Sequence, residues 1–81
     1  MIDFKLNETE KQIVKFLLKR GGFSPLISIK RNFNFDNAEE FFEIIKDMKQ
    51  KEVIEVRPYG EFDVLNAFLT KTFLGKLADF L

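Results

Sequence analysis

The spacing of apolar residues changes once along this chain and then changes back. From Glu8 to Gln50 they recur at helical intervals. At Val53-Ile54-Glu55-Val56-Arg57 the chain becomes β-branched and short, which reads as a strand. Pro58-Tyr59-Gly60-Glu61 supplies turn chemistry. Phe62 to Ala67 reads as the returning strand, with Phe62 and Val64 on one face. Helical spacing resumes after Thr70. A two-stranded hairpin is marginal on its own, so it must lie against the helices. The expected fold class is therefore α+β, in the order helix-helix-helix-strand-strand-helix, as a single domain over residues 1–81.

The helix boundaries are written in caps. Asn7 is a good N-cap for a helix from about Glu8 to Arg20, and Glu10 can answer it in a capping box. Ile13, Phe16 and Leu17 form its stripe, which Val14 and Leu18 broaden, and Gly21-Gly22 ends it. Ser24-Pro25 reads as N-cap and first residue of a second helix reaching about Arg31, with Leu26, Ile29 and Phe33 at helical spacing. Asn32-Phe33-Asn34-Phe35 reads as a turn with two aromatic anchors. Asp36-Asn37-Ala38-Glu39 is an Asp-x-x-Glu capping box that starts a third helix running to about Gln50. Its inner face is Ala38, Phe41, Phe42, Ile45 and Met48, with Ile44 at the edge. Thr70 can cap a last helix whose apolar residues are Phe73, Leu74, Leu77, Ala78, Phe80 and Leu81.

Composition excludes much chemistry. The chain has 81 residues, no Cys, no His and no Trp. Disulfides, cysteine nucleophiles, common zinc sites and His-dependent triads are therefore ruled out. Eleven phenylalanines read first as core filling, since a chain this size buries only about 60% of its unfolded surface. The glycines have no phosphate-binding spacing, and Gly75-Lys76 is followed by Leu77 rather than Ser or Thr. Glu39 and Glu43 could share an ion or act as an acid–base pair, but no pocket is implied. No catalytic residue, metal site or cofactor is expected, and enzyme is the least favoured class. No apolar run approaches the roughly 20 residues of a membrane helix, and Met1-Ile2-Asp3-Phe4-Lys5 lacks the features of a signal peptide. A cytoplasmic protein is the expectation, and Asn7-Glu8-Thr9 is then a chance sequon.

The element order resembles the winged helix-turn-helix family, with a helix after the wing. Met48-Lys49-Gln50-Lys51-Glu52-Val53-Ile54-Glu55-Val56 is similar to the end of a recognition helix entering the first wing strand. Leu69-Thr70, with Leu77 and Phe80-Leu81, is similar to the family's opening of the post-wing helix. The family's usual glycine before the wing strand is missing, with Glu52 near its place. A second glycine is displaced to Gly75, where Phe73 holds the usual position. The resemblance implies a small DNA-binding regulator, with Lys30, Arg31, Lys46 and Arg57 meeting phosphates and Tyr59 packing on the backbone at the wing. It also implies a homodimer through the last helix, using Phe73, Leu77 and Phe80; the alternative is that this face simply closes a small core.

Thirteen cations balance thirteen carboxylates, but the balance hides opposite blocks. Residues 1–35 are net plus four, residues 36–63 net minus five and residues 64–81 net plus one. Lys11, Lys15 and Lys19 form a basic row on the first helix. Glu39, Glu43 and Asp47 form an acidic row on the third, with Glu40 beside it. A winged helix presents that third-helix face to the major groove, and duplex DNA carries one negative charge per about 1.7 Å. Four carboxylates there oppose DNA binding. The DNA-binding reading that the resemblance implies is kept first; the alternative is a protein-interaction module in which Glu39, Glu40, Glu43 and Asp47 meet a basic partner, or the basic first helix of another copy. Lys30-Arg31-Asn32-Phe33-Asn34-Phe35 interleaves cations with aromatics as single-strand binders do; the structural reading, turn anchors for Phe33 and Phe35, is preferred.

Overall fold

A computed structural model describes residues 5–35 and 37–80, with backbone alone for 78–80. The elements are α1 (Glu8–Lys19), β1 (Phe23–Pro25), α2 (Leu26–Phe33), α3 (Ala38–Gln50), β2 (Ile54–Tyr59), β3 (Val64–Leu69) and α4 (Lys71–Phe80). The class is α+β, as the change of period predicts. The strands form one antiparallel sheet in the order β1-β3-β2.

β1 is the element that local pattern missed. Ser24-Pro25 reads as a helix start, yet Phe23, Ser24 and Pro25 pair with Phe68, Ala67 and Asn66 of β3. Ser24 is buried, and its hydroxyl donates to the Pro25 carbonyl at 3.1 Å rather than capping a helix. Pro25 takes φ −57 and ψ 142, and α2 begins without a side-chain cap. Tertiary pairing overrides the local capping signal, and proline is tolerated because β1 lies at the sheet edge. The far end of α2 also differs. It continues two residues past Arg31, and Asn34, at φ 54 and ψ 48, ends it in the left-handed conformation that asparagine tolerates.

The other boundaries follow from caps. The Asn7–Glu10 box forms in full, with hydrogen bonds of 2.8 and 2.9 Å. The expected Asp36 box is replaced by a cap one residue later, where Asn37 Oδ1 accepts from the Glu40 N–H at 2.8 Å. Asp36 itself lies outside the described residues. Asp and Asn rank equally as caps, so local chemistry does not choose between neighbours. Both α1 and α3 end in the same motif: Gly22 N–H donates to Leu17 O at 2.8 Å, and Val53 N–H to Met48 O at 3.0 Å. The left-handed residue is Gly21 at φ 85 in the first and Glu52 at φ 62 in the second. Glu52 therefore stands where glycine would be conformationally preferred.

The hairpin sits two residues later than its pattern suggested. β2 runs through Pro58, which an edge strand accommodates. The turn is residues 60–63, fixed by positive φ at Gly60 and Asp63. Phe62 is thus at the tip and not beside Val64 on a strand face. α4 starts as expected. Thr70 Oγ1 accepts from Phe73 N–H at 3.0 Å and donates to the Glu52 carbonyl at 2.6 Å, joining the helix start to the end of α3.

One core gathers Ile13, Val14 and Leu17 of α1, Ile29 of α2, Phe41, Ile45 and Met48 of α3, Val53, Ile54, Ala67, Leu69 and Phe73. The phenylalanines do less core filling than their number suggests. Among those described, only Phe41 and Phe73 are fully buried, while Phe42 and Phe62 are exposed. Several instead form a ring-to-ring path. Phe33 meets Phe16 at 5.7 Å, and Phe35 meets Phe41 at 5.3 Å. The turn-anchor reading of Phe33 and Phe35 fits these contacts. Glu10 is buried and its Oε1 meets Lys51 Nζ at 2.7 Å, while Oε2 has no partner among the described residues. Lys51 also donates to the Lys5 carbonyl at 2.7 Å, tying the start of α1 to the end of α3.

Candidate interaction surfaces

Burying Phe41, Ile45 and Met48 turns the opposite side of α3 to solvent. Glu39, Glu40, Glu43 and Asp47 are all exposed there, with Lys46 among them. Lys46 stands one turn from Glu43. A cation so placed is flanked by negative charge.

The cations gather elsewhere. Lys11, Lys15 and Lys19 of α1, Arg20 at its cap, and Lys30 and Arg31 of α2 are exposed. Arg20 lies over the Phe16 ring, 4.9 Å from its centroid. Arg20, Arg31, Phe16, Ser28 and Asn32 line a shallow groove of about 300 Å³. α1 and α2 thus present a basic side, and α3 an acidic one.

Arg57 and Tyr59 belong to a third region. They alternate with core residues along β2, so they lie with Phe68 and Phe23 on the outer side of the sheet. Arg57 stands over the Phe68 ring at 4.2 Å. Phe23 stacks on Phe68 at 5.3 Å with an interplanar angle of 15°, and Tyr59 meets Phe68 edge-on at 5.7 Å. Arg57 also lines a groove of about 730 Å³ with Lys49, Glu52, Glu55 and Lys71. That groove shares no residue with the one holding Arg31. The five residues expected to meet DNA are all exposed, but Lys30 and Arg31, Lys46, and Arg57 with Tyr59 stand on three separate elements.

The last helix divides its apolar residues between the core and solvent, with Leu74 exposed. Phe73 is in the core and Leu77 packs against it; the Phe80 side chain lies outside the described residues. Sequence reasoning missed the outer-sheet place of Phe23, because a three-residue strand has no readable period, and of Phe68, because the returning strand reads as ending at Ala67 while β3 runs to Leu69. It also missed the exposure of Phe62. An available signal was its place between Glu61 and Asp63, just after a glycine turn.

Among the described residues no helix is long and apolar enough to cross a membrane, and no group of three or more acidic residues is arranged to hold a metal ion. Comparison of the chain with protein families, with curated proteins and with solved structures gives no match.

Proposed function

We propose that the chain is a small winged-helix module that works by binding a basic protein partner through the acidic face of α3. The layout is compatible with that fold. α2 and α3 would be the helix-turn-helix, β2 and β3 the wing, and α4 the post-wing helix. The observation that carries the reading is the exposure of Glu39, Glu40, Glu43 and Asp47 on the helix such a module would offer to a duplex. Cations are needed at phosphates, and here α3 offers carboxylates. The role is one of binding rather than catalysis, in the cytoplasm.

Duplex DNA is the second reading, favoured by the exposure of Lys30, Arg31, Lys46, Arg57 and Tyr59. A gel-shift titration on random-sequence duplex at low salt separates the two. Non-specific duplex binders have dissociation constants of about 10⁻⁴–10⁻⁶ M even at physiological salt. The protein-partner reading expects no shift at about 10⁻⁴ M, and expects the Glu39→Lys/Glu43→Lys variant to bind measurably better. A shift by the unaltered chain in the micromolar range refutes it.

A further inference from the structure

Among the described residues no ring or cation contact accounts for the exposed aromatic at the hairpin tip. Phe62 is 83% exposed, the most exposed of the large apolar side chains described. Its turn is held by Gly60 at φ 89 and Asp63 at φ 50, and Asp63 N–H donates to Gly60 O at 3.3 Å. The ring is therefore presented on a fixed backbone, an arrangement that lowers the ordering cost of inserting it into a partner. Exposed Glu61 and Asp63 stand on either side. These carboxylates repel nucleic acid and anionic lipid, so the complementary surface is an apolar pocket with a cationic rim.

The chain itself carries such a pocket. A groove of about 330 Å³ between α1 and α4 is lined by Leu6, Val14, Leu18, Phe73 and Leu77, with Lys11 and Lys15 beside them. An apolar cavity of about 150 Å³ takes a benzene ring, so this groove has room for a phenyl side chain. Among the described residues, neither lysine has an acidic partner.

We propose that Phe62 of one copy seats in the α1–α4 groove of a second copy, with Glu61 and Asp63 meeting Lys11 and Lys15. The two surfaces are unlike, so each copy keeps one free tip and one free groove. Assembly runs head to tail, into a ring if the rotation closes and a chain if it does not. A single ring and two exposed ion pairs cover far less than the roughly 800 Å² per partner of a stable interface, so the association is weak. This contact uses no residue of the acidic α3 face and stands apart from the function proposed for it.

Sedimentation velocity at concentrations up to about 1 mM, in about 0.1 M salt, tests the contact. The unaltered chain is expected to show mass rising with concentration. Phe62→Ser is expected to lower the association constant about tenfold to a hundredfold, the equivalent of losing one buried ring. Lys11→Glu/Lys15→Glu is expected to abolish association as well, and both variants replace exposed residues, so their melting curves should match the parent. The deciding arm is the mixture. Phe62→Ser keeps a working groove and Lys11→Glu/Lys15→Glu keeps a working tip, so together they should form heterodimers that do not extend. Glu39→Lys/Glu43→Lys should associate as the parent does. A monomeric parent at about 1 mM, a Phe62→Ser variant that assembles normally, or a mixture without heterodimers overturns the proposal. Loss of assembly in the α3 variant also overturns it, and moves the interface to α3.

Discussion

Lys51→Met is the substitution whose effect follows most directly from the interior of the protein. Glu10 is 1% exposed, whereas the Lys51 side chain is 33% exposed. Glu10 Oε1 accepts from the Asn7 N–H at 2.9 Å and from Lys51 Nζ at 2.7 Å, while Oε2 is buried with no partner among the described residues. Removing one member of a fully buried pair costs about 3–5 kcal/mol. The partial exposure of Lys51 means water already screens the attraction, which brings the expected loss to about 2 kcal/mol. A domain of this length has only about 4–12 kcal/mol in all, so the loss is large. It corresponds to a fall in melting temperature of about 8–16 °C. Urea unfolding should show a midpoint lowered by about 1–2 M with an unchanged slope.

The second variant identifies the cause. If the damage comes from a stranded carboxylate, then Glu10→Gln/Lys51→Met should recover about 1 kcal/mol relative to Lys51→Met alone. Glutamine keeps the oxygen that accepts from Asn7 but removes the charge. If the damage instead comes from the lost lysine stem or its bond to the Lys5 carbonyl, the double variant will be no more stable than the single one. That result, or a Lys51→Met variant within about 0.5 kcal/mol of the parent, refutes the reasoning.

Glu52→Gly should stabilise the protein by about 0.5–1 kcal/mol. A left-handed side-chain residue costs roughly 1–2 kcal/mol, and glycine's extra unfolded-state entropy takes back part of the gain. A melting temperature raised by several degrees would show it, and a lowered one would contradict the strain assigned to φ 62. Thr70→Val keeps the shape but loses both the cap on Phe73 and the bond to the Glu52 carbonyl. Chemical unfolding should register a loss of about 1–2 kcal/mol, and Thr70→Ser should retain most of it.

The readable parts of the fold were those encoded by neighbours in sequence. Asn7 with Glu10, Gly21-Gly22 and Thr70 each mark a boundary because their bonds close within a few residues. Ser24-Pro25 failed for the opposite reason. Its local signal is a helix start, but its position is decided by Ala67 and Asn66, more than forty residues away. Such a pairing is invisible to any short window. The shift of the hairpin has a related origin. Pro58 looks like turn material until β2 is known to be an edge strand, where a missing N–H is harmless.

The surfaces divide along the same line. Helical spacing suffices to put Glu39, Glu43 and Asp47 on one row, and to put Lys11, Lys15 and Lys19 on another, because a row needs only one helix. A site needs several elements in a known relation. Arg31 and Arg57 are both exposed cations in sequence reasoning, yet they line grooves with no residue in common. Phe62 shows the converse error. Alternation with Val64 counted it into a strand, and its hydrophobicity into the core. A shift of the turn by two residues moved it from a pleated face to a solvent-facing tip. In a β-hairpin, register decides whether an aromatic is core or contact, so the most exposed ring among the described residues was also the one that composition described least well.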